Sequence, residues 1–182
     1  VVSINPVALC VPILARLAAG LFVLPVVIAS GQTVVSSNLG NTPHDSYFVG
    51  GNIGPYWAAG SFTTGSSAST FSLAAVTLLI GTPPAPSYGG TNGGFSVWLY
   101  DDSSSQPGSA LTTLSGSANP ATAGLYPYTA SGVTLNASTT YWIVAQAGIN
   151  SAYSWSGTND YSEAGWIISD LRAFSTTSGV AW

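Results

Sequence analysis

The stretch GFSVWLYDD, residues 94–102, decides the fold class. Phe95, Val97 and Leu99 recur at every second position, which is the period of a β-strand with a buried face. The positions between them include Trp98 and Tyr100, so the second face is also largely apolar. The SSSQPGS segment that follows contains the serine, proline and glycine typical of a turn. The stretch therefore predicts a strand covered on both faces and followed by a turn.

Similar short runs surround this strand on both sides. STFSLAAVTLLIG at 69–81 and VTLNASTTYWIVAQA at 133–147 have strand character, and PPAPSYGGTNGG at 83–94 is a loop rich in chain breakers. Long helical patterns are missing after residue 33. This spacing predicts an all-β fold, an antiparallel β-sandwich that is jelly-roll-like, with an apolar N-terminal arm.

The run from Thr139 to Ala147 is apolar at both odd and even positions, as in Tyr141, Trp142 and Ile143. Such a strand is either central in its sheet or covered by a neighbouring subunit. Side chains on the second face of these two strands are therefore candidate subunit contacts, with ordinary core residues as the alternative. The candidates are Trp98, Tyr100 and Trp142.

The N-terminal region differs in character from the rest. Arg16 precedes LAAGLFVLPVVIA at 17–29, which matches a secretory signal peptide. If it is retained, residues 7–24 form a short helix ended by Pro25, or LFVLPVVIAS is a strand donated to the next subunit. The chain therefore divides into an apolar arm or signal-like segment at 1–30 and a β-sandwich domain at 31–182. The contact candidates in the arm are Leu21, Phe22, Val23, Leu24, Val26, Val27 and Ile28.

The composition narrows the class of protein. Charged residues make up 4 % of the chain, the net charge is −4, and lysine is missing altogether. Nucleic-acid binding is excluded as an expectation, because neutralising phosphates requires clustered lysine and arginine. Aromatic residues make up 12 %, which argues against disorder. Cys10 is the single cysteine, so no internal disulfide forms. A polar surface of serine, threonine, asparagine and glycine is typical of extracellular and repeating assemblies.

Four segments together resemble a known family: SFTTGSSASTFSLAAVTLLI at 61–80, GGFSVWLYDDSSSQPGSALTTLSG at 93–116, YTASGVTLNASTTYWIVA at 128–145 and YSWSGTNDYSEAGWIISDLRAFSTTSG at 153–179. Over residues 33–182 the chain resembles the choice-of-anchor R domain. The resemblance implies an exported bacterial surface protein of a PEP-CTERM-like sorting class, and it implies no chemistry. The chain ends at Trp182 without a sorting tail, which fits removal of that tail.

The sequence contains few candidate catalytic residues. His44 is the single histidine, and the chain contains no GxSxG motif. One cysteine and one histidine do not complete a zinc site. Asp160 with Glu163 is a weak glycosidase pair, and Asp101 with Asp102 is a weak calcium site. We therefore expect no catalytic residues, no metal and no cofactor.

The aromatic residues suggest a carbohydrate alternative. Sugar rings stack on exposed aromatic side chains, and a rigid sandwich can present several in a row. The stacking candidates are Trp57, Tyr153, Trp155 and Trp166. Asn136-Ala-Ser matches a glycosylation sequon, although such triplets are frequent.

The sequence favours a structural role. We expect a secreted subunit of an extracellular self-assembling filament or surface layer, whose partners are copies of itself. The apolar arm packs against neighbouring subunits in this hypothesis. The alternative is a cell-surface carbohydrate-binding or matrix-adhesion module whose partner is a polysaccharide. In either case the chain is not expected to be an enzyme.

Overall fold

The structure is a computed structural model that describes residues 2–7, 36–52, 54–158 and 166–182. Two antiparallel sheets contain all the strands of these segments. Sheet I consists of β1 (Val2–Val7), β2 (Ser36–Ser37), β3 (Asp45–Gly50), β5 (Thr70–Ile80), β8 (Gly124–Asn136) and β10 (Ala152–Gly157). Sheet II consists of β4 (Trp57–Thr63), β6 (Ser96–Asp102), β7 (Pro107–Leu114), β9 (Thr140–Gln146) and β11 (Ile167–Ser175).

The only helical element of the described segments is a 3-10 turn at Pro86–Tyr88. The predicted all-β, antiparallel class is therefore confirmed. No helix in the described part of the chain is both long and apolar enough to cross a membrane.

The order of strands explains the two-faced apolar pattern of β9. Sheet II runs β11-β4-β9-β6-β7, so β9 lies in the middle, between β4 and β6. The prediction that this strand is central is confirmed. In sheet I, β5 pairs with β8 along one side and with β1 and the end of β10 along the other. Beyond β10 lies β3.

The main core lies between the sheets. Val97 and Leu99 of β6 are fully buried, as their alternation predicts, and they belong to the same apolar cluster as Leu78 and Tyr128 of sheet I. Phe95 contacts Tyr128 and Tyr153, with ring centroids 6.0 and 5.0 Å apart. The apolar side chains on the inner face of each alternating strand thus lie between the sheets, where their burial stabilises the fold.

The two long sides of the sandwich are closed differently. On one side, Ser115 and Thr129 exchange two backbone hydrogen bonds of 2.8 Å and link the end of β7 to β8. On the other side, Arg172 of β11 reaches across to sheet I. Its guanidinium lies 4.8 Å from the ring centre of Tyr47 and 3.4 Å from the Asp45 carboxylate. It also donates to the carbonyl of Thr158 at 3.1 Å.

The predicted arm is only partly within the described segments. Residues 2–7 form β1, whose backbone pairs with β2 and β5 of the same chain. Residues 8–30, which include the contact candidates at 21–28 and most of the predicted helix, lie outside the described residues.

Candidate functional site

The outer face of sheet II holds a second apolar cluster, separate from the core between the sheets. Its aromatic members come from β4, β6, β9 and the C-terminal segment, and we call them the aromatic face: Trp57, Trp98, Tyr100, Trp142 and Trp182. The small side chains Ala59 and Ala173 and the fully buried Val144 fill the space beneath them. This cluster is unusual because the outer face of such a sheet normally faces water and is polar.

Trp142 occupies the centre of the aromatic face. Its side chain is 0 % exposed, and its indole Nε1 donates to Oδ1 of Asp102 at 2.7 Å. The same aspartate accepts the backbone N–H of Ser105 in the turn after β6. A buried indole N–H requires an acceptor, and a carboxylate gives a stronger hydrogen bond than a neutral group. Asp102 therefore satisfies the buried indole N–H of Trp142.

The C-terminal segment folds back onto the aromatic face. Ser175 Oγ accepts the backbone N–H groups of Thr177 and Gly179, at 3.2 and 2.9 Å, and reverses the chain direction. Gly179 has φ +76°, a conformation that glycine adopts without strain, and a side chain there would collide with the ring of Trp57. The turn therefore brings Trp182 onto the aromatic face.

Trp182 packs against two other rings. Its ring centre lies 6.3 Å from that of Trp57 and 6.3 Å from that of Tyr100, at interplanar angles of 59° and 76°. These tilted and edge-on contacts are the preferred geometries of aromatic pairs. The backbone carbonyl of Trp182 accepts a 3.4 Å hydrogen bond from Gln106 Nε2. Its own Nε1, however, is buried and has no hydrogen-bond partner among the described residues.

A polar rim borders one end of the aromatic face. Ser96 Oγ accepts from Trp98 Nε1 at 3.1 Å and lies 2.7 Å from Gln146 Nε2. Burial raises the pKa of the Tyr100 hydroxyl above its ordinary value, so this group remains protonated at neutral pH. Trp57, Trp98 and Trp182 remain half-buried and present part of their rings to solvent. The surface is thus apolar in the middle, partly open, and hydrogen-bonding at its rim.

The predicted subunit contacts in sheet II are brought together by this face, with one correction. Trp98 is half-buried, and Tyr100 is buried, with 9 % of its side chain exposed. Trp142 is not available for a subunit contact, because its side chain is fully buried by its own chain. The apolar second face of β9 is therefore explained within one chain, and only its covering layer is available to a neighbour.

The predicted sugar-stacking residues do not form a row. Trp57 belongs to the aromatic face, but Tyr153, Trp155 and Trp166 are 0, 3 and 2 % exposed in the core between the sheets. Trp166 stacks on Phe62 with ring centres 5.9 Å apart. The expectation that these three side chains offer a face to a sugar ring is wrong for the folded chain, because they fill the core instead.

A small cavity of about 40 Å³ lies beside Trp155, between the sheets. Ser61, Gly60 and Arg172 also line it. The Trp155 Nε1 is buried and has no hydrogen-bond partner among the described residues. The volume suits water molecules and is too small for a sugar or a cofactor.

The candidate catalytic and metal residues have ordinary structural surroundings. His44 is exposed and lies 3.2 Å from Asp45, which also faces Arg172. Asp101 accepts the backbone N–H of Ser109, as Asp102 accepts that of Ser105, so both carboxylates are engaged within turns. Asp160 and Glu163 lie outside the described residues. Within the described segments, no three histidine, cysteine or acidic side chains are grouped to hold a metal ion.

Sequence reasoning missed two surface features. The first is the position of Trp182, forty residues from Trp142 in sequence; the Ser175–Gly179 turn was the one local indication of a reversal. The second is a set of large apolar side chains exposed on the outermost strands of sheet II: Leu111 on β7, and Ile167, Leu171 and Phe174 on β11. Their exposure depends on which strands are outermost, and strand order is not a local property of sequence.

Comparison of the chain with family models, with curated proteins and with solved structures found no match.

Proposed function

We propose that the chain is a structural subunit that assembles with copies of itself into an extracellular filament or surface layer. The observation that supports this most is the aromatic face of sheet II. Trp57, Trp98 and Trp182 are left half-buried over a layer whose other members are buried. A neighbouring copy that packed on these rings would remove more apolar surface from water, and the centres of protein interfaces are enriched in such aromatic residues.

The charge distribution supports close packing of many copies. The chain has two basic and six acidic residues, and Arg172 is already engaged with Asp45 across the sheets. Few charges would therefore be buried without a partner when copies pack together, and the repulsion between copies of net charge −4 is small.

The apolar arm supplies the second part of the proposal. The candidate contacts at 21–28 pack against neighbouring subunits, either as a helix or as a donated strand. If this segment is instead a signal peptide, the aromatic face and the strand edges hold the copies together. The arm is connected to the sandwich through β1 and β2, which pair with each other. A donated strand would use the backbone hydrogen bonds of an exposed sheet edge.

The finer fold and the export route belong to the same proposal. We infer a jelly-roll-like sandwich, since from β3 to β6 and again from β7 to β11 each strand is followed by one in the opposite sheet. The resemblance to the choice-of-anchor R domain agrees with secretion and a cell-surface location. No catalytic role and no cofactor enter the proposal.

A second candidate function is carbohydrate binding or matrix adhesion. The observation in its favour is that the half-open rings of Trp57 and Trp98 lie on the same face as the Ser96–Gln146 hydrogen-bonding pair. Sugars bind to such combinations of a flat apolar ring and polar groups at its edge. The binding surface would then consist of the aromatic face, and the core residues first considered would take no part.

Electron microscopy of the purified full chain tests the first proposal. Regular fibres or sheets are expected, and sedimentation should show a mass that grows with protein concentration. A variant with Phe22→Asp and Val26→Asp tests the arm without removing β1, which deletion of residues 1–30 would also remove. Loss of assembly with unchanged circular dichroism supports the arm, whereas a monodisperse single chain in the unaltered protein contradicts self-assembly.

The carbohydrate proposal has a separate test. Trp98→Ala should lower the affinity for a polysaccharide at least tenfold if the aromatic face binds it, while Tyr88→Ala, an exposed aromatic residue away from that face, should leave affinity unchanged. The unaltered chain showing no binding across a glycan panel would remove this candidate.

A further inference from the structure

We propose that a polar cleft between the ends of β6 and β8 binds a short, uncharged oligosaccharide. The cleft has a volume of about 590 Å³. Asp102 lines it and also accepts the indole N–H of Trp142, so the cleft borders the aromatic face without being part of it. The inference does not depend on the proposed self-assembly, and it places sugar binding at a different surface from the second candidate function.

The walls of the cleft come from both sheets. Sheet II supplies Asp101 and Asp102 at the end of β6 and Leu111 of β7, and sheet I supplies Thr134 and Asn136 of β8. The turn after β8 and the start of β9, residues 138–141, complete the lining. Several of these side chains are exposed, so the cleft is open to solvent. Its volume falls within the range of about 300–1,000 Å³ that is typical of small-molecule sites.

Three side chains on one wall of the cleft are free to bind a ligand. The Thr134 hydroxyl, the Asn136 amide and the Ser138 hydroxyl are exposed and form no side-chain hydrogen bond with the described part of the chain. Each of these groups both donates and accepts hydrogen bonds, as sugar hydroxyls do. Leu111 is 49 % exposed, and it offers an apolar side chain to the C–H face of a sugar ring.

Hydrogen bonds within the chain hold the base of the cleft in place. The Asn136 backbone N–H donates to the Tyr141 hydroxyl at 2.9 Å, and the Asn136 carbonyl accepts from the Thr64 hydroxyl at 2.6 Å. The Thr140 hydroxyl lies 2.9 Å from that of Thr63. A site that is ordered before binding loses less conformational freedom when it binds, which favours affinity.

The charge of the cleft selects against anions. Asp101 and Asp102 line it, and none of its described lining residues is basic. Backbone N–H groups of Ser109 and Ser105 fix the two carboxylates, which keep lone pairs for the hydroxyl groups of a sugar. Sulfated sugars and uronic acids would be repelled. A purely apolar ligand would leave the polar lining without hydrogen bonds. A neutral oligosaccharide therefore fits this lining best.

Calorimetric titration of the full chain with soluble neutral oligosaccharides tests the site, using fragments of glucans, mannans, galactans and chitin. Thr134→Ala and Asn136→Ala should each lower the affinity about three- to tenfold, because each removes hydrogen bonds to the sugar. The double variant should lose more than either single variant. Thr113→Ala is the matched control, since Thr113 is an exposed threonine of β7 that does not line the cleft. All variants should keep the circular dichroism spectrum of the unaltered chain.

The charge of the sugar gives a second measurement. An oligosaccharide that carries a uronic acid should bind more weakly than its neutral counterpart, and equal affinity would overturn the inference.

Other results would place the binding elsewhere or remove it. Unchanged affinity in the double variant overturns the site in the cleft. If Trp98→Ala alone lowers the affinity, binding belongs to the aromatic face instead. An unaltered chain that binds none of the neutral oligosaccharides also overturns the inference. The proposed self-assembly would still stand in that case, because electron microscopy tests it separately.

Discussion

Replacement of Trp182 measures how much the aromatic face contributes to folding. A buried aromatic side chain removes about 200 Å² from water, which at ~25 cal/mol per Å² corresponds to about 5 kcal/mol. Trp182 is only half-buried, and a compact unfolded chain already hides part of this area, so about 3 kcal/mol remains. The buried Nε1 without a partner offsets about 1 kcal/mol. Trp182→Ala should therefore lower the free energy of unfolding by about 2 kcal/mol.

Trp182→Phe separates the ring from its N–H group. Phenylalanine loses about a third of the apolar area, a cost of about 1 kcal/mol, but it also removes the unpartnered donor, a gain of similar size. The free energy of unfolding should then lie within about 0.5 kcal/mol of the unaltered chain. Val180→Ala, in the same turn but 86 % exposed, is the control and should also have little effect.

Urea unfolding followed by far-ultraviolet circular dichroism gives these free energies without depending on tryptophan emission. The measurement is repeated at two protein concentrations, because self-assembly would make the midpoint depend on concentration. A cost below 0.5 kcal/mol for Trp182→Ala would refute the view that this residue stabilises the sheet. If Trp182→Phe proves as costly as Trp182→Ala, the reasoning about the unpartnered N–H is refuted.

Two further predictions concern hydrogen-bonded groups within the sandwich. Trp142→Phe removes the donor to Asp102 in a fully buried position and should lower the free energy of unfolding by about 2–3 kcal/mol. Asp102→Asn should cost less, because the amide oxygen still accepts the hydrogen bond. A Trp142→Phe variant as stable as the unaltered chain would contradict the assigned hydrogen bond. Burial, reinforced by the neighbouring Tyr126 and Tyr153, raises the pKa of Tyr128 above its ordinary value of 10.0. The unfolded chain therefore loses this proton at a lower pH than the folded chain, and the free energy of unfolding should fall as the pH rises above about 10. Thermal unfolding at pH 9 and 11 checks this, and Tyr128→Phe should show a smaller loss between the two; an unchanged loss would assign the pH dependence to other groups.

The strands themselves could be predicted from the sequence, because their pattern is local. The period of two in 94–102 follows from the pleat of a strand, in which alternate side chains point to opposite faces. Phe95, Val97 and Leu99 indeed lie in the core between the sheets. The apolar run at 139–147 similarly indicated a central strand, and β9 lies in the middle of sheet II. Low charge and the lack of lysine are likewise read directly from the residues.

The tertiary structure alone decided which aromatic side chains remain near solvent. The local sequence does not distinguish Trp57 from Trp155 and Trp166, but Trp57 lies on the outer face of sheet II and the other two fill the core. The packing of Trp182 on Trp57 and Tyr100 depends on a turn that brings distant parts of the chain together. The exposure of Ile167 depends on β11 being the last strand of its sheet. Strand order decides which face of a strand is exposed, which strands are its neighbours and which strands lie at an edge, and it results from long-range pairing. A local sequence pattern specifies only that a strand exists and which of its residues share a side.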